Sequence, residues 1–138
     1  MEKVLLVSVV ALMCMVLARS QTSSSHAKKS SLDGTWELLS GQPLPKGARD
    51  IKIISEGHFI FVAYHAENGK PLYTGGGTYA LHGSSYIEHM DFASDAISGA
   101  GLVGKDQRFT IKIDGDTFTQ TGTLSNGKAL SEIWKKAE

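Results

Sequence analysis

The sequence predicts an all-β fold, an eight-stranded antiparallel up-and-down barrel. Three observations predict it. Apolar and polar residues alternate along most of the chain, and no segment longer than two turns carries a clean helical apolar period. The strand-like runs are cut at short intervals by Gly, Asn-Gly and Asp-Gly turns. The only two tryptophans, Trp36 and Trp134, fall in the first and last of these runs. A meander whose end strands meet closes a barrel and removes exposed sheet edges.

The first strand covers residues 34–40. The loop after it contains Pro43 and Pro45, which exclude a central strand there. A strand over 50–55 turns at Glu56-Gly57 into a strand over 58–65. Asn68-Gly69 is a strong hairpin signal, because Asn-Gly tolerates the positive φ of a type I′ turn. The strand over 72–81 is interrupted by Gly75-Gly76-Gly77, which marks a bulge or sharp bend. His82-Gly83-Ser84 leads into a strand over 85–92. Residues 93–105 form the longest irregular stretch, rich in small residues but carrying Ile97, Leu102 and Val103, as a lid over a barrel mouth or a plain connection would. Strands over 107–113 and 117–123 flank Asp114-Gly115-Asp116. Asn126-Gly127 repeats the hairpin signal before the last strand, 129–136. Short links between sequential strands mean antiparallel neighbours.

Three segments precede or make up the domain: a signal peptide over 1–20, a disordered Ser-rich spacer over 21–31, and the barrel over 32–138. Glu2 and Lys3 open a minimal charged region, residues 4–17 are almost wholly apolar, and Ala18-Arg19-Ser20 offers small residues for cleavage before Gln21. The apolar run falls short of the roughly 20 residues of a spanning helix, so no membrane span is expected in the mature form. Cys14, the only cysteine, lies inside this run. Leu12-Met13 before it do not suit a lipidation site. A mature chain without cysteine relies on its core alone, and it leans towards a bacterial envelope or secreted, periplasmic location. Removing residues 1–20 takes Lys3, Arg19 and Glu2 from a chain of 14 basic and 14 acidic residues, leaving a formal charge of −1. That balance gives no electrostatic reason to expect nucleic acid or an anionic membrane as a partner. A protein partner stays open.

Alternation sorts the candidate residues by face. If Trp134 points inward, so do Leu130 and Glu132. Phe118 shares a face with Gln120, Phe109 with Ile111 and Ile113, and Tyr86 with Glu88, Met90 and Phe92. The inner set combines Trp36, Phe109, Phe118 and Trp134 with the polar Tyr86, Glu88, Gln120 and Glu132. An apolar cup with a few polar fixing points is the usual make-up of a small-ligand site. These eight residues are the expected ligand-binding set, for a small apolar or amphipathic molecule. Two alternatives stand beside it. One is a side-chain-filled barrel acting as an envelope interaction protein. The other is an enzyme using Glu88 and Glu132 as an acid/base pair, or a histidine.

No catalytic, metal or cofactor site is expected. The five histidines lack zinc spacing. A haem would need an axial histidine in the cup, with His58 or His89 the candidates. Gly75-Gly76-Gly77 lacks the frame of a phosphate loop, and Gly99 to Lys105 is followed by Asp106 rather than Ser or Thr. No nucleophile elbow is present.

Gly34-Thr35-Trp36 resembles the Gly-X-Trp signature of lipocalins and their calycin relatives, and Gly34 to Leu38 resembles the opening strand of fatty-acid-binding proteins. The lipocalin resemblance implies a late basic side chain across the first-strand tryptophan. Lys135 or Lys136 would take that part, since the usual Arg is missing. Ile51 to Phe59, Gly75 to Tyr79, Tyr86 to His89, Gly115 to Phe118 and Leu130 to Lys135 are similar to small exported lipocalin-like proteins of Bacteroidetes, a largely uncharacterised family. This resemblance implies a lipocalin/calycin-like barrel and an envelope or secreted location. It carries over no ligand and no reaction.

Overall fold

The computed structural model describes residues 30–138. The expected signal peptide and most of the expected spacer lie outside the described residues. Among the described residues eight strands run in sequential order: β1 (Gly34–Ser40), β2 (Ala48–Ser55), β3 (His58–His65), β4 (Pro71–His82), β5 (Ser85–Ala93), β6 (Asp106–Asp114), β7 (Thr117–Thr123) and β8 (Ala129–Lys136). Each pairs antiparallel with the next, and β8 returns to pair with β1, closing the barrel. One short helix, α1 (Asp95–Ser98), lies in the stretch expected to be irregular.

The seam sits where the tryptophans implied. Trp36 pairs with Lys136 and Leu38 with Trp134 in the β1–β8 ladder. The two indoles are bridged by Phe118, which meets Trp36 edge-on at 4.7 Å and stacks on Trp134 at 6.2 Å. Of the two candidate lysines, Lys136 lies across Trp36, its Nζ 5.3 Å from the ring centre.

The antiparallel order sorts the links between the two ends. The short turns at 56–57, 83–84 and 115–116 share one end with the chain entering at Ser30. The longer links at 41–47, 66–70, 94–105 and 124–128 share the other. The first end is plugged. Ser30 to Asp33 form a turn held by Asp33 N–H on the Ser30 carbonyl (3.1 Å) and Ser30 N–H on Asp33 Oδ2 (3.0 Å). This turn drives Leu32 into the core, where its carbonyl accepts the Trp36 indole N–H at 2.8 Å. Leu32, Trp36, Ile54, Tyr86 and Phe118 are fully buried there.

Turn chemistry differs from expectation in one respect. Asn68 does not adopt positive φ, and only Gly69 does (70°); the Asn68 side chain instead accepts the Lys70 N–H at 2.9 Å. Asn126-Gly127 behaves alike, with Gly127 at 87° and Asn126 accepting the Lys128 N–H at 3.1 Å. The two-residue turn with both φ values positive is Glu56-Gly57, at 49° and 82°. Its extra steric cost falls on Glu56.

A bulge is present beside the glycine triplet, but it lies on the facing strand β5 rather than within the triplet. Gly76 pairs with Phe92 but Gly77 with Met90, so Asp91 is an extra residue on β5. That one-residue shift turns Phe92 away from the face of Tyr86, Glu88 and Met90, and it lies 45% exposed outside, against the expectation. Ile113 also departs from its expected burial, because it sits at the barrel end beside the 115–116 turn.

At Gly77 the strands approach so closely that a Cβ would lie 1.9 Å from the His89 carbonyl oxygen. At Gly99, with open space around it, a Cβ would meet nothing within 4 Å. Gly77→Ala is therefore expected to cost about 3 kcal/mol or more of stability or prevent folding, while Gly99→Ala stays within about 0.5 kcal/mol of wild type, as read by urea unfolding.

Candidate functional site

Above the plugged floor the barrel is hollow. A cavity of about 170 Å³ opens towards the end that carries the longer links. Its side walls include Asp50, Phe61, Tyr73, Met90 and Gln107, and its mouth is covered by Ile97, Ala100 and Leu102 from the 94–105 link.

The floor of this cup is a charged strut. Lys52, on β2, reaches across the lumen to Glu88 on β5, Nζ to Oε1 at 2.6 Å, and to Gln120 Oε1 on β7 at 3.3 Å. All three residues are buried. Its ammonium also sits 5.0 Å from the Trp134 ring and 5.6 Å from Phe59. A buried charge is tolerable only when paired and hydrogen-bonded, and this one is both.

Two further carboxylates stand in the wall with no ion-pair partner among the described residues. Glu132 accepts from the Gln42 amide at Oε1 (3.1 Å) and from the Trp134 indole at Oε2 (3.0 Å), both neutral donors. Asp50 Oδ2 accepts the Tyr73 hydroxyl at 2.8 Å, while Oδ1 has no partner among the described residues. The row Asp50–Ala63–Tyr73 runs across β2, β3 and β4. The small Ala63 between them leaves the tyrosine room to reach. Burial pushes the Asp50 carboxyl up to about 6; the Glu132 charge adds to the rise, and the Tyr73 hydrogen bond and Lys52 oppose it. Burial, then the Asp50 charge, raises the Tyr73 hydroxyl above its ordinary range. Burial, with Glu88 nearby, does the same to Tyr86.

The mouth is latched. Buried Gln107 donates to the Lys105 carbonyl (3.2 Å) and Ser125 Oγ (3.0 Å), and its Oε1 accepts the Ser125 N–H at 2.8 Å. Asn126 donates to the Ala100 carbonyl at 3.1 Å. The 94–105 link is thereby tied to the 124–128 turn, and at its other end Ser94 and Thr74 exchange hydrogen bonds.

All eight residues of the sequence-derived set are buried inside the barrel, but they divide between two levels. Glu88, Phe109, Gln120, Glu132 and Trp134 line the cavity. Trp36, Tyr86 and Phe118 pack beneath it and do not line it. Sequence reasoning missed Lys52, Asp50, Tyr73, Gln107 and Gln42. The signal for the first two was present and points the wrong way: in Asp50-Ile51-Lys52-Ile53 the isoleucines read as the inner face, yet Asp50 and Lys52 are buried and Ile53 is 46% exposed.

Both glutamates weighed as an acid/base pair carry partners, Glu88 the Lys52 ammonium and Glu132 the two neutral donors. His58 is exposed and bonded to the Glu56 carbonyl, and His89 lies on the outer face against Asp106 at 2.9 Å. Neither haem candidate faces the cup. Among the described residues no three His, Cys, Asp or Glu side chains converge as metal ligands would, and no helix is long and apolar enough to cross a membrane.

Comparison with protein-family models and with curated proteins finds no match. Among solved structures the fold is similar to an uncharacterized protein from Bacteroides eggerthii, at 13% identity and a TM-score of 0.51, covering 76% of this chain and 98% of that one. A likeness at this identity shows the fold alone.

Two stability predictions follow from the buried charges. Lys52→Met strands the Glu88 carboxylate and is expected to cost about 3–5 kcal/mol. The double variant Lys52→Met/Glu88→Leu is expected to recover most of that loss in urea unfolding, giving a large coupling energy. Asp50 is the opposite case. Its folded value lies above its unfolded one of 3.8, so the folded state binds more protons between about pH 4 and 6, and stability falls as pH rises through that window. Asp50→Asn is expected to melt about 5–10 °C above wild type at pH 8, roughly 1–2 kcal/mol, with the gap closing near pH 4 in calorimetry.

Proposed function

We propose that the protein is an exported lipocalin-like barrel that binds one small amphipathic molecule in the cup. The observation that carries this reading is the division of the lumen. The lower half is packed with aromatic rings, while the upper half holds a cavity walled by apolar surface and a few polar groups. That is the make-up of a small-molecule site. Size limits the occupant. An apolar cavity of about 150 Å³ accommodates a benzene ring, so 170 Å³ suits one ring or a short alkyl body and leaves no room for a long acyl chain. Lys136 across Trp36 agrees with the lipocalin-like resemblance, and the apolar run of residues 4–17 with export.

Catalysis by the Glu88/Glu132 pair is the weaker reading, because Glu88 is held by Lys52 and Glu132 by Gln42 and Trp134. An outer-wall row favours a second reading, docking through the barrel wall. Ile53, Ile60 and Phe92 are 46%, 41% and 45% exposed around a shallow apolar groove.

The test is an NMR titration with one-ring molecules. At least one is expected to bind with a dissociation constant between about 1 μM and 1 mM, or roughly 4–8 kcal/mol. Shifts are expected at Met90, Gln107 and Glu132 and not at Trp36 or Leu32 on the floor. Native mass spectrometry of the protein from its own source is expected to show one added mass. An unliganded native mass together with silent cup resonances refutes the reading.

A further inference from the structure

We infer that the cup selects a small organic cation, a primary ammonium on a one-ring or short alkyl body, held between Asp50 and Glu132. This rests on the reading of the cup as a binding site and specifies its ligand class.

Charge placement carries the inference. Lys52 is the buried cation of the lumen, and Glu88 holds it at 2.6 Å. Asp50 and Glu132 are 3% and 4% exposed, both line the cavity, and neither takes part in any ion pair among the described residues. Lys128 at the mouth is exposed and likewise unpaired among them. The cup thus presents two buried carboxylates whose hydrogen-bond donors among the described residues are all neutral, while Lys52, near Asp50, is bonded to Glu88. Buried charges of one sign are held by a partner of the other.

Hydrogen-bond capacity points the same way. Asp50 Oδ1 is buried with no partner among the described residues, and an ionised carboxylate only accepts. A ligand group for this wall must therefore donate. A primary ammonium has three donors and no acceptor, which matches Asp50 Oδ1 and the remaining lone pairs of Glu132. Phe61, Met90 and Phe109 offer the apolar wall for its body. An anion of the same shape would face two carboxylates that no ion pair among the described residues neutralises, and an alcohol would bring a single donor and no charge. The absence of a convergent third acidic or histidine ligand among the described residues favours an organic cation over a metal ion.

The experiment is a calorimetric or NMR titration of the full mature chain with 2-phenylethylamine, 2-phenylethanol and 3-phenylpropionate, which share one ring and differ in charge. At pH 8 the amine is expected to bind at least tenfold more tightly than the alcohol, and the carboxylate more weakly than both. Asp50→Asn is expected to cut the amine-over-alcohol preference below threefold. In the unaltered protein the preference is expected to shrink from pH 8 to pH 5, because Asp50 takes up a proton near 6. The groups that set that value are Glu132 on β8, Tyr73 on β4 and Lys52 on β2. This pH series keeps the test decisive should the variant fold poorly. A preference below tenfold, or one indifferent to pH, overturns the cation inference while alcohol binding leaves the cup reading intact. Silence from all three probes overturns both.

Discussion

The Lys52–Glu88 ion pair divides this molecule in two. Lys52 and Glu88 lie on strands that are not neighbours, so the lysine spans the lumen rather than a ladder. Everything below it is a conventional core, with Trp36 and Phe118 in edge-on contact over the Leu32 plug and Phe118 stacked on Trp134 at the level of the strut. Everything above it is the wall of a cup. A lysine there costs desolvation that only a short, well-oriented carboxylate contact and a second acceptor can offset. Gln120 and the Trp134 face supply the rest. The strut therefore fixes the rotamers of residues on three strands, and it sets the depth to which anything can enter from the open end.

The architecture was legible in the sequence because barrels obey local rules. Alternation located the strands, Gly-containing turns located the links, and the paired tryptophans located the seam. What failed were places where one residue changes the meaning of those following it. Asp91 bulges out and sends Phe92 to solvent. Asn68 and Asn126 cap their turns through side chains instead of adopting positive φ.

The candidate site was legible only by half, and the reason is physical. Glu88, Phe109, Gln120, Glu132 and Trp134 lie on strands whose inner face carries an aromatic ring that identifies it. The strand with Asp50 and Lys52 has no aromatic marker, and Ile51 and Ile53 argue for the opposite face against Ile54 alone. Burying Asp50 and Lys52 becomes favourable only once Tyr73, Glu88 and Gln120 are in reach. Those partners are supplied by closure of the barrel, which no local pattern encodes. A polar face on a strand is a solvated face until the fold brings it donors and acceptors.

The same logic explains why the upper half stays hollow. Ala63 and Gly75 are small residues on its walls, and a Cβ at Gly75 would strike the Phe61 ring at 2.6 Å. Space withheld by these side chains is used by Tyr73 and Phe61, which lean along the wall and leave the centre open. Filling the centre with apolar groups would gain packing, but it would leave Asp50 and Glu132 with no route to further donors, at a cost of several kcal/mol for charged groups. The 94–105 link, tied by Gln107 and Asn126, lays Ile97, Ala100 and Leu102 over the mouth. A filled floor supplies stability, and the polar wall above it is kept in order without being filled. That combination makes the cup a persistent feature of the fold rather than a packing fault in it.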